Sequence, residues 1–519
     1  MVSFRRFLPL VVLVLVLAGC GMPGQTLNRR PAPSPTSTVT QTVHPDPDGT
    51  TAPAVPRITW EPCGDGVECG RVEVPLDHHH PDGDRISIAL TRRRAEDPTQ
   101  RRGVLLVNPG GPGESGTQLV YLEPDRFTPT VRRHFDLVGY DPRGVGASSA
   151  VRCPATPTHT EVIPEDAAEF DELVATNREF AARCAERTGD LLYHVDTRSV
   201  ARDLELLRLA LGEERLNLYG SSYGTLFALT YAELYPDRVR TLVLDGVVDP
   251  SAPLDVAVLR EAEALERVFD SFASWCALEP ECALHGRDVH AAWDELVARA
   301  RQSPLPAGNV QVDDEILLGT LYQLMYSSGN WPAAAASIQM AVDGDPGAFG
   351  PPAEGDPDTS TVEITPIVRP LPDPEYNSDG LHAAMACADR PPPFTERERI
   401  EELARRAAER APRFGPYVVW SQFRPCLGWP APRAEQSLDE VRVSGLPPAL
   451  LLGSTGDVAT PLEGTRAVAG QLPGSTLVVL DADVHGVYGG ISPCVDQTVE
   501  RYLLDVVPPT DGEAVCTLS

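Results

Sequence analysis

Short apolar runs alternate with stretches of helical spacing through residues 57–250. Residues 103–107, 135–140, 216–219 and 241–244 are mostly apolar and short, the pattern of strands covered on both faces, and residues 71–75 read as a further strand. Residues 199–211 place Val200, Leu204, Leu207 and Leu211 on one face of a helix that Gly212 stops. Strand and helix in alternation predict a parallel, doubly wound α/β sheet. From 251 to 435 the spacing becomes helical, at 256–277, 289–301, 313–327, 331–342, 381–388 and 395–410. Residues 344–374, dense in Gly, Pro and Asp, read as a mobile loop within that stretch. Strand periodicity returns at 449–452 and 476–480. Residues 251–435 therefore read as a helical lid inserted between two halves of one core, 57–250 and 436–519, with no internal repeat.

The ends and the composition point to export. Arg5 and Arg6 precede an apolar run over residues 7–18, too short for a permanent membrane span and suited to a signal peptide. That run ends Leu17-Ala18-Gly19-Cys20, which resembles the bacterial lipobox. Cys20 is thus expected to be lipidated and to become the mature N-terminus; cleavage after a small residue with release of soluble protein is the alternative. Residues 1–20 form the leader, and 21–56, rich in Pro, Thr and Ser, a tether that lifts the rest off the membrane. Setting Cys20 aside leaves ten of the 11 cysteines, an even number that suits disulfides in an exported chain. Spacing suggests Cys63–Cys69, Cys153–Cys184, Cys276–Cys282, Cys387–Cys426 and Cys494–Cys516, with connectivity left open.

All 44 basic residues are arginine. The lack of lysine excludes Ser-Lys dyads, Schiff-base and pyridoxal chemistry, and a P-loop lysine. A net charge of −30 argues against nucleic-acid or anionic-lipid surfaces, which call for basic faces. His78-His79-His80 reads as a solvated loop after the strand at 71–75 rather than a metal site, and no cofactor is expected.

The chemistry concentrates at Gly220-Ser221-Ser222-Tyr223-Gly224, between the strand at 216–219 and a helical run beginning Thr225-Leu226. Strand, sharp turn and helix around G-x-S-x-G form a nucleophile elbow: glycines remove clashing Cβ atoms, and Ser222 is thrust out at a helix N-terminus whose free N–H groups face a developing oxyanion. In that arrangement an acid and then a histidine follow the serine in sequence. Of the later histidines, His285, His290, His382 and His485, only His485 lies past the last predicted strand. The apolar run at 449–452 leads to Asp457, placed to hold the imidazole tautomer that accepts the serine proton; Asp483, Asp245 and Asp249 are rivals. Upstream, the strand at 103–107 opens into Asn108-Pro109-Gly110-Gly111-Pro112-Gly113-Glu114, where an N–H of Gly110 or Gly111 would pair with that of Tyr223 as an oxyanion hole.

Together the turn from Asn108 to Gly116, the segment from Phe135 to Gly146 containing Asp141-Pro142-Arg143-Gly144, the elbow, the turn Asp457-Val458-Ala459-Thr460-Pro461 and His485 resemble the actinobacterial tripeptidyl-aminopeptidase family. The resemblance covers residues 57–519 and implies an exported α/β-hydrolase with a TAP-like C-terminal region, related to proline iminopeptidases and mycobacterial envelope serine hydrolases. Proline iminopeptidases carry His-Gly-Gly-Pro-Gly, whereas here Asn108-Pro109 precedes Gly110-Gly111-Pro112-Gly113, so removal of single N-terminal prolines is not expected. The implied activity is release of short peptides from free N-termini through an acyl-enzyme, by a monomer. An envelope carboxylesterase or lipase shares that chemistry, and an inactive binding lipoprotein is the alternative of a different class. An aminopeptidase of this kind calls for an acidic anchor for the substrate ammonium, with Glu114, Asp249, Asp255, Glu261 and Glu263 as candidates.

Overall fold

Among the described residues, ten of the twelve strands join in one sheet. The computed structural model describes residues 55–518 apart from 65, 158–161, 309, 351–372, 374, 431–439, 442, 444 and 510–511. The leader, Cys20, nearly all of the tether and most of the 344–374 loop lie outside the described residues. The strands are β1 (Glu61–Gly64), β2 (Val67–Pro75), β3 (Arg85–Arg93), β4 (Gly103–Asn108), β5 (Phe135–Tyr140), β6 (Leu216–Ser221), β7 (Val239–Asp245), β8 (Leu305–Ala307), β9 (Val310–Val312), β10 (Leu450–Ser454), β11 (Thr476–Asp481) and β12 (Gly512–Thr517). The sheet runs β1-β2-β3-β5-β4-β6-β7-β10-β11-β12, and β8-β9 form a separate hairpin. The strands from β5 to β12 in this order are parallel, while β1, β2 and β3 pair antiparallel and β3 joins β5 antiparallel.

Alternation within a strand explains the unbroken apolar runs. On β4, Val104 and Leu106 enter the apolar cluster under the helices Thr197–Leu211 and Tyr223–Leu234. Leu105 and Val107 enter the opposite cluster, with Val495 and Val499 of the helix Pro493–Asp505. Both faces are covered, so every position of the strand is buried and Val104 to Val107 are all apolar.

Between β7 and β10 the chain builds helices at Leu254–Leu278, Val289–Gln302, Asp314–Leu324, Trp331–Val342, Ser378–Asp389, Arg397–Ala408 and Gly415–Phe423. Most of them share an apolar cluster of their own, with Phe269, Trp293, Trp331, Phe414 and Trp420 buried in it. The helix Ser378–Asp389 differs: its Leu381, Ala384 and Met385 belong to the cluster of the sheet.

Elements with a narrow apolar stripe escaped the sequence pattern. The helix Ala167–Thr188 buries only Leu173, Phe180, Ala181 and Cys184, and β12 is largely exposed. The helix expected from residue 199 starts at Thr197, because the Asp196 side chain accepts from the Ser199 N–H at 2.9 Å and caps it there. The cysteines form five bridges, Cys63–Cys69, Cys153–Cys184, Cys276–Cys282, Cys387–Cys426 and Cys494–Cys516.

The histidine run is a correction. His78 is not solvated: it is buried, with Nε2 2.8 Å from Asp203 Oδ1. The reason is Arg143 of the turn after β5, which is wholly buried and uses all its N–H groups. It donates to both Asp203 oxygens at 2.7 Å, to the carbonyls of Leu76 and His194 at 2.8 and 2.9 Å, and to that of Pro75 at 3.0 Å. The cluster ties the end of β2, the turn after β5 and the helix Thr197–Leu211 below the sheet's carboxyl edge. Burial raises the Asp203 pKa, but Arg143 and His78 outweigh it and hold the carboxyl below its ordinary value. Its stabilisation is therefore present at neutral pH and lost as pH falls through that depressed value. Asp203→Ala strands a buried guanidinium and is expected to cost about 3–5 kcal/mol. Urea unfolding at neutral pH checks this, and a loss under about 1 kcal/mol would contradict the role given to the pair.

Candidate active site

Ser222 follows β6 directly and starts the helix Tyr223–Leu234, with φ 53° and ψ −127°. A serine seldom holds this conformation, which costs on the order of 1–3 kcal/mol. Its surroundings impose it. The Ser222 N–H donates to the Asp245 carbonyl at 2.8 Å, and the Thr225 hydroxyl and N–H donate to the Ser222 carbonyl at 2.6 and 2.9 Å. A Cβ on Gly224 would lie 2.7 Å from the Asn108 carbonyl oxygen, so only glycine lets the elbow settle against the turn after β4.

Two strands further along the sheet, β10 and β11 deliver the other two residues. His485 Nδ1 lies 2.9 Å from both oxygens of Asp457. Asp457 is 2% exposed, and it accepts the N–H groups of Ala459 and Thr460 at 2.9 and 2.8 Å and the Thr460 hydroxyl at 2.9 Å. Burial disfavours the imidazolium of His485, but the Asp457 carboxylate outweighs it and raises the ring's pKa above its ordinary value. Gly246, after β7, borders both groups: a Cβ there would sit 3.1 Å from His485 Cε1 and 3.4 Å from Asp457 Oδ2. With Nδ1 committed to Asp457, Nε2 is the nitrogen left for a proton from Ser222. Among the described residues no hydrogen bond joins Ser222 Oγ to His485 Nε2; such contacts commonly tighten only when substrate is bound.

The rival acids have other partners. Asp245 accepts the Val487 and Tyr488 N–H groups at 2.9 and 3.1 Å and the Tyr219 hydroxyl at 2.9 Å, holding the histidine loop rather than the ring. Asp483 lies against Gly456, and burial followed by the charge of Asp481 pushes its pKa up to about 6. Asp249 accepts from Ser251 and from Arg260 at 3.1 Å. The sequence offered no sign that the inserted segment would help seat the histidine. The His485 N–H donates to the Tyr326 carbonyl at 2.7 Å, the Ser328 N–H to that of Asp483 at 2.8 Å, and the Tyr326 ring stands edge-on to the imidazole with centroids 5.3 Å apart. Thr460 was visible only as part of the acid turn.

Of the two glycines proposed for an oxyanion hole, Gly110 donates its N–H to Asn108 Oδ1 at 3.0 Å. Gly110 instead acts as a spacer: a Cβ there would lie 2.8 Å from the Tyr223 nitrogen. Gly111 and Tyr223 line a cavity of about 170 Å³ with Ser222. Its far wall, from the inserted segment, includes Glu261, Tyr326, His382 and Arg390. An adjoining cavity of about 70 Å³ shares Glu261 and Arg390 with it and is lined also by Asp249.

Among the acidic candidates Glu261 lines the serine's own cavity. It is 7% exposed, and its Oε1 accepts the Tyr322 hydroxyl at 2.6 Å and the Gln422 amide at 2.9 Å. Burial pushes its pKa up to about 7. Glu263 is paired with Arg410 at 2.7 Å. Glu114, on the turn after β4, keeps exposed surface, yet burial of its carboxyl raises its pKa and its charge acts on His485.

Comparison with known proteins agrees with this architecture. The α/β hydrolase fold family model matches residues 103–330, and the TAP-like protein model residues 411–516. Serine protease Hip1 of Mycobacterium tuberculosis is 33% identical over 488 residues, 88% of this chain and 90% of that protein. A tripeptidyl aminopeptidase of Streptomyces lividans is 32% identical over 86% of this chain and 84% of its own length. Carboxylesterase B of Mycobacterium tuberculosis is 31% identical over 88% and 90%. The chain is thus an α/β-hydrolase, and it belongs to the TAP-like family of serine hydrolases that these relatives represent.

The raised pKa of His485 sets an expectation. A base must be neutral to accept a proton, so the acid limb of kcat/KM should lie above the ordinary histidine value of about 6.5. Asp457→Asn removes the charge that raises it. The limb should then move to lower pH while kcat falls by about four orders of magnitude, because the imidazole tautomer is no longer held. A pH–rate profile on both proteins checks this; an unmoved limb would contradict the assignment of Asp457.

Proposed function

We propose that this chain is an exported serine peptidase that releases short peptides from free N-termini, with Ser222 as nucleophile, His485 as base and Asp457 as its orienting acid. Ser222 Oγ attacks the scissile carbonyl carbon as its proton passes to His485 Nε2. The N–H groups of Tyr223 and Gly111 bind the oxyanion, worth about 3–4 kcal/mol for each such donor. Collapse breaks the C–N bond, and His485 returns the proton to the leaving amine. Water then attacks the acyl-enzyme by the same route and frees Ser222.

The observation that carries the aminopeptidase reading is Glu261. A carboxylate with one oxygen held by Tyr322 and Gln422, in the cavity of Ser222, suits a substrate ammonium that must leave water to bind. Ammonium binding would restore the charge that burial opposes. The inserted helices act in this reading as a lid that admits extended peptides and excludes folded protein. The relative named carboxylesterase B supports a second reading, hydrolysis of acyl esters by the same three residues.

We propose further that the enzyme acts outside the cytoplasm as a monomer, held by a lipid on Cys20 and a Pro-rich tether; the charged and apolar leader ending Leu17-Ala18-Gly19-Cys20 supports the anchor. Mass spectrometry of the mature N-terminus should find a diacylated or triacylated Cys20, lost in Cys20→Ser; an unmodified terminus elsewhere would mean secretion instead.

A fluorophosphonate probe should label Ser222, and Ser222→Ala should stay folded while losing label and turnover. Labelling of another serine would overturn the nucleophile. Unblocked tripeptide substrates should be cleaved faster than their N-acetyl counterparts by about 10-fold or more, and Glu261→Gln should erase most of that difference, as loss of a buried ion-pair partner requires. Equal rates on both, with fast ester turnover, would favour the esterase reading.

A further inference from the structure

Tyr223 carries more than the backbone N–H that follows the nucleophile. Its side chain is buried at 6% exposure, and its hydroxyl donates to Asp389 Oδ2 at 2.8 Å. Asp389, also buried, accepts from the Thr197 N–H at 2.9 Å and the Thr197 hydroxyl at 2.5 Å. Thr197 opens the helix Thr197–Leu211, which packs on the sheet. Asp389 closes the helix Ser378–Asp389, whose Leu381, Ala384 and Met385 lie in the same core.

The same helix end forms a wall of the cleft. Ala386 and Arg390 line the cavity at Ser222, and the bridge from Cys387 reaches Cys426, which lines it with Pro425. One hydrogen bond therefore connects the cleft wall and a core helix to the residue whose amide faces the oxyanion. Phenylalanine would fill the tyrosine's volume, so the hydroxyl is not needed for packing. The bond to Asp389 holds the far end of the side chain. An oxyanion donor is effective within a narrow range, about 2.7–3.1 Å from the oxygen.

We propose that Asp389 is a positioning residue for catalysis: through the Tyr223 hydroxyl it fixes the oxyanion-binding amide of Tyr223 and makes that geometry depend on the seating of the cleft wall. The inference rests on the assignment of Ser222 and of the Tyr223 amide made above. It goes beyond that assignment by giving the inserted segment a part in the chemical step, not only in substrate entry.

Tyr223→Phe, Asp389→Ala and the double variant test it on an unblocked chromogenic peptide. Inhibition is measured in parallel with a peptidyl trifluoromethyl ketone, which forms an oxyanionic hemiketal on the serine, and with the product peptide, which does not. Tyr223→Phe should lower kcat about 10-fold or more with KM within about two-fold, and weaken the ketone in proportion while leaving product binding unchanged. Asp389→Ala, where folded, should match it, and the double variant should be no worse than the poorer single one by more than about three-fold. Wild-type kcat and ketone affinity in Tyr223→Phe, with Ser222→Ala inactive, would overturn this inference alone. Activity retained in Ser222→Ala would overturn the underlying assignment instead. An effect of Tyr223→Phe confined to KM, or additive losses in the double variant, would also count against it.

Discussion

One peptide unit constrains the rest of the molecule. Ser222 is held at φ 53°, ψ −127° between β6 and its helix, which aims the side chain out of the sheet's carboxyl edge and the Tyr223 N–H toward the same space. That conformation is sustained only if neighbouring backbone comes very close, hence glycine at 110, 220 and 224. β6 lies between β4 and β7. The turn after β4 therefore supplies Gly111, and the end of β7 supplies the carbonyl that fixes the serine N–H. The next strands, β10 and β11, end beside them with Asp457 and His485. Parallel order puts all of these loops at one edge, the place where open α/β sheets bind ligands.

Buried acids crowd that edge, and their partners set them apart more than their burial does. Asp457 and Asp245 are both nearly inaccessible, yet one faces an imidazole and the other two backbone N–H groups of the loop that carries it. Glu261 and Asp389 are each pushed up to about 7 by burial. Asp389 is filled by donors from Thr197 and Tyr223, whereas Glu261 lines the cavity and, among the described residues, accepts hydrogen bonds through Oε1. A carboxylate largely withdrawn from water gains most from a charged partner that enters the same cavity.

The sequence made the sheet and the three central residues legible for a physical reason. A parallel strand covered on both faces is apolar at every position, so 103–107 and 135–140 stand out from their surroundings and coincide with β4 and β5 within a residue. Ser222 was legible through the glycines its backbone requires, and His485 through its place past the last such run. Contacts between remote positions were not. Nothing near His78 reveals Asp203, 125 residues away, so a buried histidine passed for a solvated one. Among five candidate anchors the sequence favoured Glu114, and nothing near Glu261 in sequence reveals that Tyr322 and Gln422 hold it in the serine's cavity. The clasp of residues 326–328 on the histidine loop is made by backbone groups and has no side-chain signature.

The central claim is that hydrolysis proceeds by transfer of the substrate's acyl group, the N-terminal fragment of a peptide, to Ser222. Rapid acid quench of the enzyme during turnover of an unblocked tripeptide p-nitrophenyl ester, followed by peptide mapping, observes that intermediate directly. The account predicts a mass increase equal to the tripeptide acyl group on the fragment containing Ser222, absent from Ser222→Ala and decaying as free tripeptide appears. Acylation of a different residue, or product formed at full rate with no covalent adduct at any quench time, would contradict it.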